Sequence, residues 1–441
     1  MRRRRQGRTG WTALMLGAAL ALPSTAAPAV AAETPEDTEE SPTADGADPD
    51  GFSFSGDDVS GGSTPGDAAE LAVDGRYLDA LIEGTLHYRI PREHADSSLH
   101  VGLLTRYSPD ADEDADLIRA GLSTWDGASC GSTSFSPSAT TTAGSISSAH
   151  LVTEPGESSE SCKEAEELVL TVELQPGAQN SQSQSAGRPL EIVVFDEPLP
   201  ENLDDLPAAE PEAPEWTDIG RDTADAETIS GGASFADATA LNPAQTYRVT
   251  LSPGQTRVFR VPLDWGQRLQ AEAYVSEPTE EDYDAWQALE RIHLAVLDPL
   301  YGRLDSRAGY LSTSFPTDTQ VSTAEVQWNQ REETTPSGSS VAGEHYLVLS
   351  LPTAADHEDL EVETLLTLDT FGEAGEGAPQ YPDDEEPAVP EQPGAEAGPG
   401  SNRVGEFTQH PAVIALIGTL GAVLVVTGGV LFFLARRRPN P

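Results

Sequence analysis

The chain is expected to be all-β, with two β-sandwich or jelly-roll-like domains and one C-terminal transmembrane helix. Three observations predict this. Short alternating segments recur between Gly, Pro and Asp turns. Stretches rich in Pro and acids divide the alternating regions from one another. A 25-residue run from Pro411 to Ala435 carries no charge and is long enough to cross about 30 Å of hydrocarbon as a helix.

The ends set the orientation. Arg2 to Arg5 and Arg8 form a positive region, Trp11 to Leu22 a short apolar region, and Ala29-Val30-Ala31 a small-residue cleavage pattern. Residues 1–31 therefore read as a signal peptide. The helix at 411–435 is followed by Arg436-Arg437-Arg438 in a cytoplasmic tail, 436–441. The expected location is the cell membrane, single-pass type I, with the N-terminus extracellular, the C-terminus cytoplasmic and both sandwiches outside.

Composition narrows the partners. There are 74 acidic against 25 basic residues, a net charge of -49, and Lys163 is the one lysine. Such a surface repels nucleic acid, so no nucleic-acid partner is expected. Cys130 and Cys162 are the only cysteines, an even count that predicts one disulfide in an exported chain.

Residues 32–75 read as an acidic disordered segment, because Glu33 to Asp58 holds ten acids and no base. Domain 1 is expected over 76–200, with strands at Leu86–Pro91, Leu99–Leu104, Leu168–Leu174 and Leu190–Phe195 and a long loop over Gly131–Ser148. A Pro- and acid-rich linker covers 201–227. Domain 2 is expected over 228–372. Its strands are Thr246–Leu251, Arg257–Leu263, Leu269–Val275, Ile292–Leu297, Val321–Trp328, His345–Ser350 and Val362–Leu368, with a short helix or elaborated loop at Glu280–Glu290. In the second of these, Val258 falls on the polar-looking side. An acidic Pro-rich stalk follows over 373–410.

The domains echo each other. Leu86–Pro91 parallels Val258–Pro262, Leu99–Leu104 parallels Leu269–Val275, and Leu190–Phe195 parallels the Tyr346 strand. Both duplication and two unrelated β domains fit this pattern.

Candidate chemistry is sparse. There is no G-x-S-x-G elbow, no H-E-x-x-H site and no phosphate loop. His87, His94 and His100 lie close in sequence without further ligands at zinc-like spacing, and His293 and His345 read as ordinary sheet residues. Asp110, Asp112, Asp114 and Asp116 alternate as early calcium ligands do. Ala115 and Gly121 stand where the loop would need Gly and Glu, so a solvated acidic loop is the better reading. No catalytic, metal or cofactor residue is assigned, and no cofactor is expected. Trp265 has two readings, a plug against the sheet or an exposed surface-binding platform.

Gly231-Gly232-Ala233-Ser234-Phe235-Ala236-Asp237-Ala238, with Leu241, Tyr247 and Leu251 to Val261, resembles a bacterial pre-peptidase C-terminal domain. Its continuation, Pro262 to Leu269, resembles a group of actinobacterial single-pass surface membrane proteins sometimes associated with von Willebrand factor A type proteins. The resemblance covers residues 229–275 and implies a small extracellular β-sandwich appended to other exported modules. No protease and no Asp-x-Ser-x-Ser metal motif accompanies it. The expected function is a non-enzymatic accessory or binding protein of the bacterial envelope, whose partner is an exported protein or a cell-wall polymer. An envelope hydrolase with a dispersed loop site and a purely structural spacer are the alternatives.

Overall fold

The computed structural model describes residues 52–93, 96–106, 116–136, 146–153, 160–178, 180, 182–279, 283, 286, 289–311, 315–333, 337–353, 357, 359–382 and 387–392. The signal peptide, most of the Asp110–Asp116 run and the apolar segment 411–435 lie outside these. Among the described residues, no helix is long and apolar enough to cross a membrane.

Twenty strands dominate the described residues. The first ten are β1 (Asp57–Asp58), β2 (Ala69–Glu70), β3 (Gly75–Ala80), β4 (Gly84–Pro91), β5 (Ser98–Arg106), β6 (Leu117–Ser123), β7 (Ser129–Phe135), β8 (Ile146–Val152), β9 (Glu167–Gln175) and β10 (Pro189–Glu197). They form two sheets of order β1-β3-β10-β5-β8 and β2-β4-β9-β6-β7. The second ten are β11 (Glu227–Ile229), β12 (Thr239–Ala240), β13 (Gln245–Leu251), β14 (Thr256–Leu263), β15 (Arg268–Val275), β16 (Arg291–Leu297), β17 (Arg303–Tyr310), β18 (Thr317–Ser322), β19 (Gly343–Ser350) and β20 (Val362–Phe371). Their sheets run β11-β13-β20-β15-β18 and β12-β14-β19-β16-β17. Adding ten to each strand number converts the first pair of orders into the second, so the two sandwiches share one wiring. Apart from the short parallel edge strands, each has eight antiparallel strands in jelly-roll order.

Alternation builds each core. In β4, Leu86, Tyr88 and Ile90 point inward and their neighbours do not. They meet Leu168, Leu170 and Val172 of β9 and, from the facing sheet, Val101, Leu103 and Ile192. The second core repeats this with Phe259, Val261, Leu269, Leu294, Leu347 and Leu366.

The shared wiring corrects one expected correspondence. Leu190–Phe195 belongs to β10, whose counterpart is β20; the Tyr346 strand, β19, answers to β9. The signal for duplication lies earlier. Gly62, Asp67 and Tyr77 recur at a constant offset as Gly232, Asp237 and Tyr247. Gly62 bridges His87 and Gly232 bridges Val258. A Cβ on either glycine would stand 2.3 Å from the carbonyl oxygen of Asp67 or Asp237 respectively, so only Gly fits. Asp67 and Asp237 in turn accept hydrogen bonds from the backbone amides of Thr64 and Ser234.

Segments expected to be free are packed. Phe52 and Phe54, in the segment read as acidic and disordered, are buried against Phe235 and its neighbours. Leu206 of the expected linker joins the second core. Residues 373–382 and 387–392 of the expected stalk lie on the body, with Tyr381 and Gln392 buried. Composition averages over the few apolar residues that dock. Gly131–Ser148 is likewise not one loop: β7 and β8 occupy its two ends, and 137–145 lies outside the described residues. β3, β6 and β17 went unread, and the strand expected over Val321–Trp328 lies instead at Thr317–Ser322, with Trp328 in a 3-10 turn, Trp328–Glu332.

Cys130 and Cys162 form the expected disulfide, joining β7 to α1 (Glu160–Glu164) over a separation of 32 residues. Its Cys130→Ser/Cys162→Ser double variant is expected to lose about 3–4 kcal/mol by urea denaturation, through release of loop entropy in the unfolded chain. A loss under about 1 kcal/mol would contradict this.

Candidate functional site

The two sandwiches meet along an apolar seam. Leu78, Leu104, Val193 and Phe195 from β3, β5 and β10 face Val258, Ala295, Leu297, Tyr346 and Val348 from β14, β16 and β19. This explains Val258, whose outward face is covered by the other sandwich. It also explains why every residue of β5 is buried. Gly102 marks the closest approach: a Cβ there would sit 2.5 Å from the Leu300 carbonyl oxygen.

Polar groups cross the same seam in two clusters. In one, Glu191 of β10 accepts from Arg76 Nη1 at 3.0 Å, from Tyr301 OH at 2.5 Å and from the Ser55 amide at 3.0 Å. Arg76 also donates to the Pro390 carbonyl at 2.7 Å, tying the C-terminal segment down.

The second cluster is a line of ionisable groups. Asp298 Oδ2 lies 2.9 Å from His150 Nδ1, His150 Nε2 lies 2.9 Å from His100 Nδ1, and His100 Nε2 lies 3.1 Å from Glu197 Oε2. Arg331 Nη1 donates to Glu197 at 2.5 Å and lies 3.5 Å from His100 Nε2. Tyr381 OH donates to the other Glu197 oxygen at 2.6 Å. Asp298 is held by the amides of Leu300 and Gly302, at 2.8 and 2.7 Å. The imidazoles are 25° from parallel with centroids 5.1 Å apart. At a nitrogen separation of 2.9 Å that is a head-to-head hydrogen bond.

His100, His150 and Glu197 belong to the first sandwich and Asp298 and Arg331 to the second, so each end of the line spans the seam. Burial pushes the His100 imidazole down to about 4, against the upward pull of Glu197, and Arg331 adds to the fall. Burial alone would raise Glu197, but Arg331 and His100 outweigh it and bring it to about 2. Asp298 is likewise held below the ordinary carboxylate range, His150 and the Gly302 amide overcoming its burial.

His150, Asp298 and Arg331 also line a cleft of about 730 Å³ at the seam. Residues 131–135 of β7 with Ser136 after it, and 146–152 of β8, border it consecutively. Alternate residues of a strand face opposite ways, so a consecutive lining means that the cleft runs along strand edges. β7 and β8 are the terminal strands of their sheets. The opposite wall includes Leu297, Asp298 and Gly302 on one side and Gln330, Arg331 and Ser340 on the other. Ser147 Oγ and Gln330 Oε1, both in the lining, are buried without a partner among the described residues.

The residues singled out from sequence are elsewhere. Trp265 is 3 % exposed in the core of the second sandwich, so it has no free ring face and the platform reading is corrected to a core plug. His87 is on β4 beside Thr171, on the sheet facing away from the seam, and His94 lies outside the described residues. His293 and His345 are buried in β16 and β19. Asp116 is spent on Ser183 Oγ and the amides of Gly177 and Ser185. Among the described residues, no group of His, Cys, Asp and Glu is arranged to hold a metal ion. The relay escaped sequence reading because its members are scattered between positions 100 and 331; the one trace is a histidine inside the apolar run of β5.

No family model matches the chain. No curated protein matches it either. Similar solved structures include the M60 catalytic domain with the CBM51-1 and CBM51-2 domains of Clostridium perfringens ZmpB, at 9% identity over 64% of this chain with a TM-score of 0.17. This chain spans 34% of that one. The ANX1 ectodomain of Arabidopsis thaliana matches at 9% identity over 69% of this chain and 85% of its own, TM-score 0.20. The CUB1-EGF-CUB2 domain of human MASP-1/3 matches at 10% identity over 67% and 98%, TM-score 0.15. At these scores the likenesses carry no weight for function.

Proposed function

We propose that this is a non-enzymatic accessory protein of the bacterial cell surface. In this reading residues 411–435 anchor it, and the junction cleft binds an exported protein or a wall polymer. The observation that carries the reading is the cleft itself. Its volume falls in the range of ligand sites. Its walls offer strand-edge backbone and small hydroxyl side chains, with two buried polar atoms still lacking partners. A hydrogen-bonding ligand that reached them would recover their desolvation cost. Binding is favoured over catalysis because both ring nitrogens of His150 are engaged within the wall. A base whose lone pair is spent cannot take a proton from a ligand. The disulfide fits an oxidising, exported setting. The resemblance to pre-peptidase C-terminal modules supports the same accessory role.

The test is crosslinking on intact cells, pull-down and mass spectrometry, with the wild-type chain and Ser134→Trp compared. Ser134 is exposed on the β7 rim of the cleft, so the substitution fills the cleft and leaves both cores intact. The captured partner should be lost with stability within about 0.5 kcal/mol of wild type. Undiminished capture by a folded Ser134→Trp chain would remove the cleft from the reading.

A further inference from the structure

We propose that the outward face of the β2-β4-β9-β6-β7 sheet is a glycan-binding surface, on which a neutral polysaccharide lies along β6 and β9 with one sugar stacked on Trp125. The shared wiring gives four outward sheet faces, two on each sandwich. Two of them are buried against each other at the seam. A third, on β11-β13-β20-β15-β18, is covered by linker residues 217–222. The Thr217 amide donates to Gln270 Oε1 at 3.2 Å, the Asp222 amide donates to Thr246 Oγ1 at 3.1 Å, and the Arg221 guanidinium lies 3.8 Å from the Tyr274 ring centroid. The fourth face is open: Arg119 is exposed, and His87, Gly121 and Thr171 are partly so.

The repeat supplies an internal comparison, because the open face is the counterpart of the one that the second sandwich buries in the seam. Gly62 bridges His87 and Gly232 bridges Val258, which makes His87 the counterpart of Val258. Cross-strand register extends the match to Thr171 and Val348, Gly121 and Ala295, and Ser123 and Leu297. Apolar residues at the seam are thus replaced on the open face by an imidazole, two hydroxyls and a glycine. Solvation alone accounts for the polar side chains, but not for Gly121 or Trp125. A glycine inside a strand costs about 0.5–1 kcal/mol. Packing does not require this one, since a Cβ there would meet nothing nearer than 3.7 Å. It leaves the backbone open to close approach.

Trp125 stands in the turn between β6 and β7 and is 53 % exposed, the only exposed tryptophan among the described residues. Its Nε1 donates to Glu167, so what it presents to solvent is ring. The turn is held by the Thr124 amide on the Ala128 carbonyl and the Gly127 amide on the Thr124 carbonyl, both at 3.0 Å. The Cys130–Cys162 disulfide follows at once. A ring fixed in this way loses little freedom when it binds.

The neighbouring groups set the ligand class. Arg119 Nη1 lies 4.0 Å from Glu173 Oε2, and Arg89 Nη1 lies 3.2 Å from Glu167 Oε2. Each pair sets donors beside acceptors, which suits a hydroxyl, since it donates and accepts at once. Both arginines are matched by carboxylates, and the net charge of -49 repels an anionic polymer. A protein partner anchors on a cluster of apolar contacts, and the counterparts of Val258 and Leu297 here are polar. A pyranose carries C–H groups on one face and hydroxyls around its rim, so the first meets the indole and the second the polar rows. From Arg119 to Ser123 the face runs about 14 Å along β6, with Trp125 beyond, so it takes a chain of sugars rather than one.

None of these residues lines the junction cleft, so the surface stands apart from the cleft reading. The test is calorimetric titration of the full chain with cellohexaose and chitohexaose as neutral probes and a galacturonic acid hexamer as the anionic one. At least one neutral hexamer should bind, and the anionic hexamer should not. Trp125→Ala should weaken binding about tenfold or more, as loss of a tryptophan anchor does. Trp125→Phe should keep it within about threefold, since a ring remains. Gly121→Val places a side chain on the face without entering the core. Its urea midpoint should equal or exceed that of wild type, because a Cβ fits there and Ala295 occupies the matching position. Its glycan affinity should nevertheless fall about tenfold, which a merely solvated face would not show. No binding of either neutral hexamer at millimolar concentration, equal binding of the anionic hexamer, or binding that survives either Trp125→Ala or Gly121→Val would each overturn the proposal.

Discussion

Arg331→Met is expected to destabilise the full chain by about 3–5 kcal/mol, the cost of leaving a buried charge without its partner. Glu197 is 1 % exposed and has three partners: Arg331, Tyr381 and, when its Nε2 carries the proton, His100. Arg331 supplies the only full positive charge among them, and it also fixes its own turn through the Trp328 and Ser340 carbonyls. Without it Glu197 must take up a proton or stay charged in a buried seam. The loss should therefore shrink as pH falls, because the protonated acid no longer needs the cation. Arg331→Met/Glu197→Gln should recover most of the stability, since the charge and its partner leave together. Urea denaturation of wild type, both single variants and the double variant measures this cycle. In the single variant the two sandwiches should unfold in separate steps, because the pair crosses the boundary between them. A single-variant loss below about 1 kcal/mol would show that the charge is solvated and the seam already open.

How much of this was legible follows from where each signal resides. β4, β13, β14 and β15 were readable because an inward-facing alternation is written into consecutive residues. Val258 looked out of place for a reason no local window contains: its face is buried by the other sandwich, through residues that run from Leu78 to Phe195. β17 was missed because Arg303-Leu304-Asp305-Ser306-Arg307-Ala308-Gly309-Tyr310 is an edge strand with little apolar face. The Gly62/Gly232 and Asp67/Asp237 repeat was present in the sequence and was the sharper clue to duplication. Composition misjudged the flanking segments, since two phenylalanines and one tyrosine dock stretches that otherwise read as charged coil. The relay and the cleft are products of the seam, and nothing local announces them.

Acid should weaken the chain as a whole, well before its carboxylates titrate. Burial lowers the imidazoles of His100 and His293 to about 4, with Arg331 adding to the first and Arg291 to the second. An unfolded histidine titrates near 6.5, so below that pH the unfolded chain binds protons that the folded chain refuses. The sign is therefore destabilising as pH falls from about 6.5 to about 4, and flat above 6.5. At pH 5 each residue costs about 2 kcal/mol, together about 4 kcal/mol, a large share of a typical domain's stability. Glu197, at about 2, contributes stability that is lost only below the ordinary glutamate value of 4.5, so it plays little part in the upper window. The excess of 74 acidic over 25 basic residues pulls the other way, because neutralising surface carboxylates relieves their repulsion, but that also begins near pH 4.5. Between pH 6.5 and 4.5 the histidines decide the slope. Urea midpoints at pH 7.5, 6 and 5 should fall in wild type. His293→Gln should remove about half of the loss; His293 lies on the same face of β16 as Ala295 and Leu297. A midpoint that stays level from pH 7.5 to 5 would mean that these imidazoles are solvated.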